Sequence, residues 1–104
     1  MSAKKFSVSV EKEAILRLAS HYEFLARVSK VAVKRLALSY EKALDFLKEA
    51  PESCPIYVTE KPIDVKLRYK LFGGRYRIVF TIDEQMVYVY DIQDCRQDIE
   101  KNVV

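Results

Sequence analysis

From Val65 to Leu71 apolar and cationic residues alternate without a break, with Val65, Leu67, Tyr69 and Leu71 on one parity and Lys66, Arg68 and Lys70 on the other. Side chains of a strand point alternately to its two faces, so a strand here has one apolar and one cationic face. Gly73-Gly74 follows, a pair free to adopt the positive φ of a tight hairpin. Beyond it Arg75-Tyr76-Arg77-Ile78-Val79-Phe80 places two more cations two residues apart. The pattern predicts neighbouring strands over 64–72 and 75–82. Val65, Leu67, Tyr69 and Leu71 should look inward, and five cations should share one patch of sheet. Like charges on adjacent strands repel, so such a patch suits a polyanion or an acidic partner. The plainer alternative is a solvated sheet face.

The rest of the chain supplies the cover. Phe6, Val8 and Val10 share a parity in a short strand over 5–10. From Glu11 the period lengthens, and Ile15, Leu18, Ala19, Tyr22, Leu25 and Ala26 form a helical stripe. The stripe loses phase near Val28, and Ser29 is placed to cap a second helix. That helix turns Val33, Leu36, Ala37, Tyr40, Ala43, Leu44 and Leu47 inward and stops at Pro51. Cys54 to Pro62 reads as a loop or edge strand between prolines. A third strand of the meander, over 86–93, follows a turn at Asp83-Glu84-Gln85, and the tail from Asp94 is polar. The order predicts an α+β fold: an N-terminal strand, an antiparallel helical hairpin, then an antiparallel β-meander. With 104 residues, positions 1–104 should form a single domain.

Charge is unevenly spread. From Lys61 to Arg77 six cations face one Asp, whereas from Asp83 to Glu100 six acids face one Arg. Only the first of these segments favours phosphate. Cys54 and Cys95 have neither metal spacing nor a disulfide framework, which suits two reduced thiols in a cytoplasmic protein. No apolar run approaches the length of a membrane span. The acids at Asp83, Glu84, Asp91, Asp94 and Asp98 are too dispersed to suggest a metal centre. His21 reads as a boundary residue of the first helix. Tyr88 and Tyr90 share a parity and could offer stacking surfaces to bases, or pack in the core.

The helical hairpin, the basic strand, the run Gly74-Arg75-Tyr76-Arg77-Ile78-Val79-Phe80, and the strand from Met86 to Ile92 followed by Asp94-Cys95-Arg96-Gln97-Asp98 together resemble the RelE/ParE superfamily. These are the toxins of type II toxin–antitoxin modules, also called plasmid-stabilisation proteins. The resemblance covers nearly the whole chain. It implies a cognate antitoxin, a toxin–antitoxin hetero-oligomer and no cofactor. RelE-like members are ribosome-dependent mRNA endoribonucleases (mRNA interferases) that block translation, and ParE-like members inhibit DNA gyrase.

On the RelE pattern, Arg68, Lys70, Arg77 and Arg96 would be the catalytic group, with Lys66, Arg75, Tyr88 and Tyr90 holding RNA. Cleavage without a metal makes the 2′-OH attack the adjacent phosphate, so it needs a base, an acid and cations that stabilise the developing charge. The arginines could supply only the last. Lys70, if crowded by Lys66, Arg68 and Arg77, would be the proton-transfer residue. RelE-like enzymes also use a C-terminal Tyr or His. Here none lies beyond Tyr90, and Asn102 stands nearest that position. On the basic strand, the resemblance implies first an mRNA endoribonuclease. The second reading is a gyrase inhibitor, which needs no hydrolytic residue, and the third a member that only binds its antitoxin.

Overall fold

The computed structural model describes residues 5–60 and 64–95. Strand β1 spans Ser7–Val10, helix α1 Lys12–Ala26 and helix α2 Lys30–Glu49. A single 3-10 turn at Pro51–Ser53 follows, then β2 over Arg68–Phe72, β3 over Tyr76–Asp83 and β4 over Met86–Asp94. The sheet order is β1-β4-β3-β2. β3 is antiparallel to both neighbours, and β1 lies parallel to β4. The expected α+β arrangement is therefore present: strand, helical hairpin, then meander.

Local chemistry sets the boundaries. Ser29 caps α2 by accepting the Ala32 N–H at 3.1 Å, and Pro51 ends it as expected. Gly73 and Gly74 turn the β2–β3 connection at φ of 62° and 82°. The first meander strand is shorter than expected, because 64–67 precede the ladder. The chain there crosses the open face instead, where the Lys66 carbonyl accepts from Thr81 Oγ1 at 2.8 Å. The segment after Cys54 does form an edge: Tyr57 N–H donates to Leu67 O and Tyr69 N–H to Pro55 O, at 2.8 and 3.1 Å.

The helices cover one face only. Leu47, Ile78, Phe80, Val87, Val89 and Ile92 are wholly buried between helices and sheet. Each contributes about 1.5–3 kcal/mol by leaving water. The α2 stripe is as read from sequence, with Leu36, Ala43 and Leu47 deepest. The α1 stripe is rotated: Ala14 and Leu18 are buried, whereas Ile15, Ala19 and Ala26 are exposed. The rotation brings His21 against the sheet, where its Nε2 donates to the Ile92 carbonyl at 2.8 Å and its ring lies 5.2 Å from Tyr76.

Candidate functional site

The cations of β2 and β3 do not share a face. In the β2–β3 ladder Arg68, Lys70 and Phe72 stand opposite Phe80, Ile78 and Tyr76, all of them core-facing. Tyr69 and Leu71 stand opposite Val79 and Arg77 on the open side. The sequence expectation for β2 is thus inverted. Phe72 decides the matter: it is buried among Tyr40 and Tyr76, at ring distances of 5.7 Å from each. Arg68 and Lys70 share its parity and must follow it to the helix side. Their long stems run over apolar surface and carry the charges out at the sheet edge.

Each cation has its own surroundings. Arg68 is half-buried, and its Nη1 donates to the Cys54 carbonyl at 2.6 Å. Lys70 Nζ lies 4.5 Å from the centre of the Phe46 ring. Lys66 is exposed ahead of β2. Arg75 pairs with buried Asp94 at 3.2 Å and stands 5.2 Å over Tyr76. Arg77 faces the open side, donating from Nε to Gln93 Oε1 at 2.6 Å with its guanidinium 5.0 Å over Tyr57. Lys70 is therefore not crowded by Arg77, and the expected ring of cations around it does not form. Arg96 and Asn102 lie outside the described residues. Tyr88 and Tyr90 do not make a regular pair either: a bulge skips Tyr90, which is 42% exposed, while Tyr88 stands opposite Thr81.

What the fold does assemble on the open face is a cluster that the sequence patterns did not single out. Gln93 donates from Nε2 to Tyr57 Oη at 3.3 Å and to Asp91 Oδ2 at 3.0 Å, and Arg17 reaches Asp91 Oδ1 at 3.6 Å. Beside it lies a depression of about 710 Å³ walled by Tyr57, Thr59, Tyr69 and Arg77 among others. Tyr57 comes from the proline-flanked edge and Gln93 from β4, two positions that only sheet register brings together. Its chemistry is that of a hydrogen-bonding platform with one guanidinium. On the other side of the sheet, burial pushes the Cys54 thiol up from its ordinary value, an effect partly countered by the positive charges of Lys70 and Arg68. Cys54 and Cys95 are both thiols, and no group of His, Cys, Asp and Glu among the described residues could hold a metal ion. Nor is any described helix long and apolar enough to cross a membrane.

Two solved structures share this fold. The chain is similar to a chain of the chromosomal ParDE toxin–antitoxin system of P. aeruginosa, with a TM-score of 0.68 and 11% identity over 88% of this chain and 98% of that one. It is also similar to a chain of the archaeal RelE–RelB complex of Pyrococcus horikoshii OT3, with a TM-score of 0.54 and 16% identity over 88% and 96% of the two chains. At such identities the likeness is one of fold. No curated protein matches by sequence. The family model for the ParE toxin of the type II toxin–antitoxin system parDE, however, matches residues 8–99. The chain thus belongs to the ParE toxin family of type II toxin–antitoxin systems.

Proposed function

We propose that this toxin acts by binding its target rather than by hydrolysing it, that the target is DNA gyrase, and that a cognate antitoxin holds it inactive in a hetero-oligomer. The observation that supports this most is the separation of the cations. Metal-independent RNA cleavage needs several cations, a base and an acid converging on one phosphate. Here Arg68 and Lys70 lie on the helix side and Arg77 on the open side of the sheet. The family match points the same way, since inhibition of gyrase is the activity of ParE-like members. The antitoxin is supported by the toxin–antitoxin systems in which the similar structures occur.

Inducing the chain without its antitoxin provides the test. Gyrase-trapped double-strand breaks in chromosomal DNA, with transcripts intact, are the expected result. Purified chain should also block gyrase supercoiling in vitro. Transcripts cut at the ribosomal A site, without DNA breaks, would overturn the proposal.

A second reading, cleavage of mRNA, draws on one feature. Arg77 and Tyr57 stand together at the mouth of the open-face depression, so a phenol and a phosphate-binding guanidinium would meet the same nucleotide. Under that reading Tyr57→Phe abolishes transcript cutting, and under the first it leaves DNA breakage in place.

A further inference from the structure

Helix α1 leaves two large apolar side chains in water on the side turned away from its buried residues. Leu16 is 59% exposed and Phe24 56%, whereas Ala14 and Leu18 face the core. Ser20 lies between the two, and Glu13 and Arg27 lie beyond them, all three exposed. At 3.6 residues per turn these five positions fall within about a quarter of the helix circumference. They form one stripe that runs the length of the helix.

The order of the stripe is symmetric about Ser20. Leu16 stands four positions before it and Phe24 four after, and Glu13 stands seven before and Arg27 seven after. A second α1 laid antiparallel on this face and crossing at Ser20 sets each residue beside its counterpart from the other end. Leu16 then meets Phe24 of the second copy, and Glu13 meets Arg27 of the second copy. The twofold axis repeats both contacts. The small Ser20 at the crossing lets the two helices approach closely. A parallel arrangement would instead set Glu13 against Glu13 and Arg27 against Arg27, so the charges select the antiparallel one.

The same charges select the occupant. One acid and one base give the stripe no excess of either sign, so it offers nothing particular to a polyanion or an acidic segment. Glu13 and Arg27 form no ion pair among the described residues, whereas neighbouring Arg17 is held to the flank by Asp91 at 3.6 Å. The pattern is complementary to itself.

We propose that the outer face of α1 is a self-association surface, on which a second copy of this chain docks its own α1 antiparallel. A contact through one helix of about four turns is small beside the ~1,200–2,000 Å² of a stable complex, so the dimer is a weak one that forms at micromolar concentrations or above. The inference does not depend on which target the toxin attacks or on how its antitoxin holds it.

Sedimentation velocity of the purified full chain, taken over a concentration series into the hundreds of micromolar, tests it. The chain should pass from monomer to dimer. Glu13→Lys leaves a base at both ends of the stripe, and Arg27→Glu leaves an acid at both ends. Each variant alone should dimerise more weakly by roughly tenfold. Mixed in equal amounts, the two should recover the affinity of the unaltered chain, because each end again meets the opposite charge. Leu16→Asn should weaken association without altering charge, and circular dichroism should show all three variants folded. A chain that stays monomeric throughout, variants that associate as the unaltered chain does, or a mixture no tighter than its components would overturn the proposal. None of these results bears on DNA breakage, which is read by the separate assay.

Discussion

Lys70 Nζ sits 4.5 Å from the centre of the Phe46 ring, tying the middle of β2 to the last turns of α2. A cation over an aromatic at a half-exposed site contributes about 0.5–1 kcal/mol. Lys70→Met keeps the stem and gives up the charge, so it should cost no more than that in urea denaturation. Growth arrest on induction should persist. Loss of toxicity in a chain that still folds would return Lys70 to the functional site.

The turn between β2 and β3 separates two glycines that sequence treats alike. Both have positive φ, so an alanine at either is strained by about 1 kcal/mol. At Gly74 nothing lies within 4 Å of an added Cβ, whereas at Gly73 it would fall 2.7 Å from Leu36 Cδ1. Leu36 is itself buried and has little room to yield. Gly73→Ala should therefore lower the melting temperature clearly more than Gly74→Ala. Equal shifts would mean that the Leu36 contact is relieved without cost.

These same residues explain what could be read from sequence. Ser29 and Pro51 punctuate the helices through backbone chemistry that is local, so the order and the limits of the helices were legible. The facing of β2 was not. Four apolar residues on one parity of 64–72 outvote one on the other, yet that one, Phe72, joins Tyr40 and Tyr76 in the core and turns Arg68 and Lys70 with it. An edge strand tolerates this, because long cationic stems can bury their methylenes and still reach water. The α1 stripe failed for a related reason: contact with β4 through His21 and Arg17, rather than apolar count, sets the helix rotation. Tyr57 and Gln93 meet through tertiary pairing alone, which no local pattern encodes.

Alkaline pH should weaken the fold. Burial raises Tyr40 above its ordinary value, with the nearby Tyr22 adding to the effect, and burial followed by the Glu41 charge raises Tyr22. Burial likewise raises the Cys54 thiol. In each case the folded state favours the neutral form. Their stabilising contribution is complete below the ordinary pKa of each group and is lost as pH rises through the elevated value in the fold. Melting temperature should therefore drop as pH climbs beyond about 10, the ordinary tyrosine value. Tyr40→Phe should flatten that drop. An unchanged alkaline profile in Tyr40→Phe would exclude Tyr40 as a contributor.

Arg75 and Asp94 hold the outer end of the sheet together. Their 3.2 Å ion pair is mostly sheltered, with Asp94 nearly buried, and the Arg75 carbonyl also accepts the Cys95 N–H at 2.7 Å. Removing one partner strands the other in a poorly hydrated place, which costs more than the pair itself contributes. Asp94→Ala should cost about 2–4 kcal/mol, less than for a fully buried pair because Arg75 retains some access to water. Arg75→Met together with Asp94→Ala should cost less than the two single losses combined, with a coupling of about 1–3 kcal/mol in a double-mutant cycle. Strict additivity in chemical denaturation would show that the two side chains act separately. Because Asp94 is the register partner of Tyr76, the loss should also loosen the β3–β4 ladder at this end, read as faster hydrogen exchange there than around Phe80.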